Sequence, residues 1–220
     1  MEKAETPLQE VRAQIAKACK IARRDPGEVT LVAVSKTHPA EAIEPLLIEG
    51  QRHFGENRVQ EAQGKWPALK EQFPATVLHL VGQLQSNKAE DAVELFDVIH
   101  SLDRSSLVKA LAKAKEKAGR CPECFIQVDV GEEDQKGGCA IADLPALVAE
   151  ARKAGIPLAG LMCIPPADTE PAPFFALLDK LARENGLPGR SMGMSGDFET
   201  AIMLGATHIR VGTALFGARG

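Results

Sequence analysis

Eight short apolar runs, each bounded by turn residues, alternate with helical stretches along almost the whole chain. The runs are "TLVAVSK" (30–36), "HFGEN" (53–57), "VLHLVG" (77–82), "VIHSLD" (98–103), "ECFIQVDV" (123–130), "LAGLMCI" (158–164), "SMGM" (191–194) and "HIRVGT" (208–213). Helical spacing occupies 39–50, 58–72, 87–96, 104–119, 142–154, 171–186 and 197–205, with stops such as "AGIP" and "ENGLPG". Strands that alternate with helices pair in parallel, because each helix carries the chain back to the same end of the sheet. Eight such units predict an α/β fold, a closed (β/α)8 TIM barrel in one domain over residues 1–220. An open doubly wound sheet is the alternative, but no GxGxxG follows the first strand. Ahead of the units, Leu8, Val11, Ile15 and Ala18 space an additional N-terminal amphipathic helix over 7–24.

Composition removes several function classes. A net charge of −4, without Lys/Arg clusters interleaved with aromatics, argues against nucleic acid as a partner. No apolar run is long enough to span a bilayer, and the polar start "MEKAETPLQE" is unlike a secretory signal, so the expected location is the cytoplasm. The five cysteines lack framework spacing. "CPEC" at 121–124 has no second half to complete a zinc site, and ordinary reduced thiols are expected. Nothing in the pattern calls for a dimer, and the chain is expected to be a monomer. The sequence contains no tyrosine.

A barrel of this kind does its chemistry where strands end and βα loops begin. The first strand ends there on Lys36, whose ammonium either snorkels to water or reacts. In "HIRVGT" the two-residue period sends Ile209 and Val211 outward and His208, Arg210 and Gly212 into the barrel. A buried guanidinium needs acceptors, and a structural ion pair with a neighbouring carboxylate is the plain alternative. The loops after strands seven and eight, where barrels commonly hold phosphate, read "GMSGD" and "GTALFG". Ser195 and Thr213 offer hydroxyls there, with Ser195 expected to cap the helix that follows. A rim lysine, an inward arginine and a phosphate corner suit a phosphorylated aldehyde bound as a Schiff base. Pyridoxal phosphate fits best, and a phosphosugar aldolase fits the same features less well.

The blocks "VAVSKTHP" (32–39), "FGENRVQEA" (54–62), "LHLVGQLQSNK" (78–88), "SLDR" (101–104), "EDQKGG" (133–138), "GLMCIPP" (160–166), "SMGMSGDFETAI" (191–202) and "RVGTALFGAR" (210–219) together resemble the pyridoxal phosphate homeostasis protein family. The resemblance implies a barrel similar to the N-terminal domain of alanine racemase, with pyridoxal 5'-phosphate, a vitamin B6 form, as cofactor. It implies that Lys36 forms the Schiff base and that Asn57 lies beside the cofactor. It further implies that Ser195, Gly212 and Thr213 hold the phosphate and that Arg210 faces the pyridine nitrogen. Arg58, Leu78 and Gly196 depart from the family pattern, where tyrosine, tryptophan and an acidic residue are usual.

Racemases of this fold draw a second base from a tyrosine of an additional domain. With no tyrosine and all of the chain consumed by the eight units, the expected role is a carrier without turnover: storage, protection and supply of the cofactor, with apo-enzymes as possible recipients. The other readings are a racemase-like enzyme, with His38 or Cys163 as substitute base, or a phosphosugar aldolase. Glu56, His79 and Glu133 have no role assigned from sequence.

Overall fold

The computed structural model describes residues 6–132 and 137–217; Glu133 lies outside them. Eight parallel strands close into a barrel in chain order. They are β1 (Thr30–Val34), β2 (His53–Glu56), β3 (Val77–Leu80), β4 (Val98–Leu102), β5 (Glu123–Gln127), β6 (Leu158–Met162), β7 (Gly189–Ser191) and β8 (His208–Val211). β1 pairs with β8, Val32 opposite Arg210, which closes the sheet. The predicted α/β barrel is therefore the fold, and the open sheet is excluded.

The helices Ala40–Ile48, Trp66–Gln72, Ala89–Leu95, Ser105–Ala118, Leu144–Lys153, Ala172–Glu184 and Phe198–Met203 surround the strands. Two expectations need correction. The helical stretch 58–72 is two helices, Val59–Gln63 and Trp66–Gln72, interrupted at Gly64 and Lys65, with Pro67 in the first turn of the second. The seventh strand runs from Gly189 to Ser191, so "SMGM" is mostly the loop after it. Its methionines are buried or line the rim, and its backbone still bonds to β8, with the Met192 amide donating to the His208 carbonyl and the Arg210 amide to the Gly193 carbonyl.

The additional N-terminal helix, Pro7–Ala22, starts with a capping box. Thr6 accepts from the Gln9 amide while the Gln9 side chain accepts from the Thr6 amide. Its apolar stripe, Leu8, Val11, Ile15, Ala18 and Cys19, is buried in the same core that lies between strands and helices. A separate, small apolar cluster of Val98, Phe125 and Met162 fills part of the barrel interior. All five cysteines are free. Among the described residues, no group of three or more His, Cys, Asp or Glu could hold a metal ion, and no helix is long and apolar enough to cross a membrane.

Candidate functional site

At the C-terminal rim of the strands lies a cavity of about 600 Å³. Lys36, Asn57, Ser195, Arg210, Gly212 and Thr213, brought from four separate stretches of the sequence, all line it. The barrel's strand order makes this convergence possible: β1 supplies the lysine turn and its neighbour β8 the arginine.

Lys36 is half-buried in the turn that follows β1. The next residue, Thr37, has φ 66°, a left-handed conformation that costs a non-glycine residue about 1–2 kcal/mol. The turn is held from beneath. Lys65 Nζ donates to the carbonyls of Ser35 at 3.0 Å and His38 at 2.9 Å, on either side of Lys36. The same ammonium lies 2.9 Å from Glu56 Oε1, which also accepts from Ser35 Oγ at 2.6 Å and Trp66 Nε1 at 2.9 Å. Glu61 accepts from the Thr37 amide and pairs with Lys65. Glu56, unassigned from sequence, is thus a fully buried support of the lysine turn rather than part of the cavity wall.

Arg210 faces inward as the strand period predicts, and is buried. Among the described residues, its partners are not the carboxylate of the plain alternative. Nη1 donates to Ser191 Oγ at 2.7 Å and Nη2 to the Cys163 carbonyl at 2.9 Å. Burial lowers its pKa, opposed by Cys163 and Asp197, but a guanidinium keeps its proton in proteins.

Ser195 is not a helix cap. The following helix begins at Phe198 with Asp197 in the cap position, and Asp197 Oδ1 accepts from the Met194 amide at 2.5 Å. Ser195 Oγ instead accepts from the Gly212 amide at 3.3 Å, tying the loops after β7 and β8 together at the cavity. The cap expectation failed because the chain makes one more turn before the helix, a detail that spacing alone does not carry.

Sequence reasoning missed the opposite wall. Gln83 Nε2 donates to Gln127 Oε1 at 2.6 Å, and Gln127 Nε2 to the Gly137 carbonyl at 2.8 Å; all three residues line the cavity. The alternation Phe125, Gln127 along β5 carries the signal that would have found Gln127, as it found Arg210. Of the departures from the family pattern, Arg58 is exposed and Leu78 is buried in the outer core. Gly196 lines the cavity with open space around it.

The two residues named from sequence as substitute bases stand in different surroundings. Burial pushes the Cys163 thiol up to about 12, so it stays protonated at neutral pH. His38 lines the cavity and stacks on Phe216, with ring centroids 4.6 Å apart.

Comparison with known proteins agrees with this architecture. The family profile described as "Alanine racemase, N-terminal domain" matches residues 7–220. The pyridoxal phosphate homeostasis protein of Pseudomonas aeruginosa is 44% identical over 220 residues, spanning 96% of this chain and 94% of its own. The chain belongs to the pyridoxal phosphate homeostasis protein family. Its Escherichia coli K12 relative is 38% identical over 223 residues, covering 96% of this chain and 95% of that one. PipY of Synechococcus elongatus, solved with pyridoxal phosphate bound, is 41% identical with a TM-score of 0.82, covering 92% of this chain and all of PipY.

Proposed function

We propose that this protein binds pyridoxal 5'-phosphate in the rim cavity and holds it as a Schiff base on Lys36. Its role is cytoplasmic homeostasis of the cofactor (storage, protection and supply) without turnover of amino acids. The observation that carries the reading is the convergence of Lys36, Asn57, Ser195, Arg210, Gly212 and Thr213 on one cavity, in a chain whose relative PipY was solved with that cofactor.

The donor set fits such a ligand. Two cationic side chains, two hydroxyls and a side-chain amide suit an anionic phosphate ester and an aldehyde, and about 600 Å³ falls within the usual range for small-molecule sites. In this reading Lys36 would hold the cofactor through its amine, which in its neutral form is a nucleophile toward an aldehyde. Ser195, Gly212 and Thr213 bind phosphate, and Asn57 flanks the ring. Arg210 would face the pyridine nitrogen. When bound, the cofactor supplies an electron sink, and a permanently protonated arginine weakens that sink by leaving the ring nitrogen without a proton. The position of the site, which opens at the rim rather than inside the core, supports a role in supply to apo-enzymes.

The test is the visible absorption spectrum with and without added pyridoxal phosphate, followed by borohydride reduction and peptide mass mapping. A yellow band, and reduced pyridoxyl on the Lys36 peptide that disappears in Lys36→Ala, are expected. Absence of both in the wild type overturns the reading. Incubation of the loaded protein with single-enantiomer amino acids should leave them unchanged; racemisation would move the protein to the enzyme reading.

A further inference from the structure

Inside the barrel, three histidines from consecutive strands stand in file. His53 Nδ1 lies 3.0 Å from His79 Nε2, His79 Nδ1 lies 2.9 Å from His100 Nε2, and His100 Nδ1 lies 2.8 Å from Ser191 Oγ. Arg210 Nη1 reaches the same serine oxygen at 2.7 Å. One end of the file, Arg210, lines the rim cavity. The other end, His53, lines a second cavity of about 550 Å³ at the barrel floor, together with Arg12, Gln51 and Arg52.

The direction of every hydrogen bond in this file follows from the arginine. A guanidinium only donates, so Ser191 Oγ accepts from Arg210. The serine is fully buried, and among the described residues its own proton then has one hydrogen-bonding acceptor, His100 Nδ1. That places the His100 proton on Nε2, from which it is donated to His79 Nδ1. His79 in turn donates from Nε2 to His53 Nδ1, and His53 presents its Nε2–H at the floor. In the opposite direction His100 and Arg210 would both donate to Ser191, leaving the buried hydroxyl proton without an acceptor.

We propose that Arg210 polarises this file, and that His100, backed by His79 and His53, is a positioning residue for the Arg210 guanidinium in the rim cavity. Where the cofactor enters, the proposal rests on the reading of that cavity given above.

The polarity has a pH consequence. Each ring can take a second proton only on Nδ1, which already accepts a hydrogen bond, so protonation sets two donors face to face. Burial, with His53 and His208, holds His79 well below the usual histidine range. Burial, with His79, His208 and Arg210, does the same for His100. His53 is half-buried; burial lowers it and Asp97 opposes that, while Arg12 and Arg52 share its cavity. Acid therefore opens the file below the ordinary histidine range, and the hold on Arg210 loosens as pH falls.

The first experiment is ¹⁵N NMR of the histidine rings in the full chain without added ligand, at neutral pH. A bare Nδ1 and a protonated Nε2 are expected at both His79 and His100; a proton on Nδ1 of either overturns the proposal. The second is pyridoxal phosphate titration of His100→Asn and His100→Phe. The asparagine carbonyl can accept the Ser191 hydroxyl and the phenyl ring cannot. Affinity should fall about ten-fold in His100→Phe, the loss of roughly one buried hydrogen bond, and much less in His100→Asn. Equal losses overturn the positioning role. In His53→Asn, affinity should fall less than in the wild type as pH drops from about 6.5 to about 4.5, below the ordinary histidine range; identical profiles overturn the coupling to the floor. Should the wild type fail to bind pyridoxal phosphate, the rim reading falls, and the ring tautomers still decide the polarity of the file.

Discussion

The two faces of the same eight strands carry opposite chemistry. Outward, Phe54, Leu78, Ile99, Ile126, Leu161 and Ile209 pack without exposure against the helices. Inward, four of the five histidines, Ser191 and Arg210 share the barrel with a small apolar cluster. The outer layer needs only matching apolar surface, and burial of that surface is what holds the domain together. The inner layer needs a partner for each polar atom, and closure of the barrel supplies partners from strands distant in sequence. The fold's stability and its chemistry are thereby assigned to different sides of one sheet.

That division can be broken by experiment. Truncating the outer layer with Phe175→Ala, at a fully buried site, should cost about 3–5 kcal/mol in urea unfolding. Borohydride trapping at Lys36 in the folded fraction should stay at the wild-type level; a matching loss of trapping would show that the layers are not separable. Lys65→Met tests a place where they meet. It leaves Glu56, fully buried, without its cation, which should cost about 3 kcal/mol and slow trapping at Lys36 by loosening its turn.

The interior should also give a pH dependence that the outer layer does not. Burial first, then His53 and Arg210, push His208 down to about 4. The unfolded chain binds that proton near pH 6.5 while the folded chain refuses it, so stability falls as pH drops from about 6.5 towards 4, by on the order of 2–3 kcal/mol. Urea midpoints measured across that window should drift down, and less steeply in His208→Phe. The smallest effect is expected far from the site. Thr6→Ala removes the cap of the N-terminal helix and should cost about 1 kcal/mol with no change in ligand affinity.

Legibility followed the same division. The outward apolar positions repeat locally, every second residue on a strand and every third or fourth on a helix, so strand and helix order could be read directly. Arg210 was legible as an inward cation because Ile209 and Val211 fixed the phase of its strand. The glutamine wall was less so: Gln83 and Gln127 lie 44 residues apart and meet only across the closed barrel. Glu56 gave no sign of its role because its partner Lys65 sits in an interruption that reads as continuous helix.

Taken alone, the sequence determined eight βα units, the strand that carries Lys36 to the rim, and the inward face of Arg210, since each depends on short-range periodicity. Which acceptor meets that arginine, and in which direction three histidines donate, was decided only by tertiary structure. The links of the file join residues 26, 21 and 91 positions apart, and only closure of the barrel brings them within hydrogen-bonding distance.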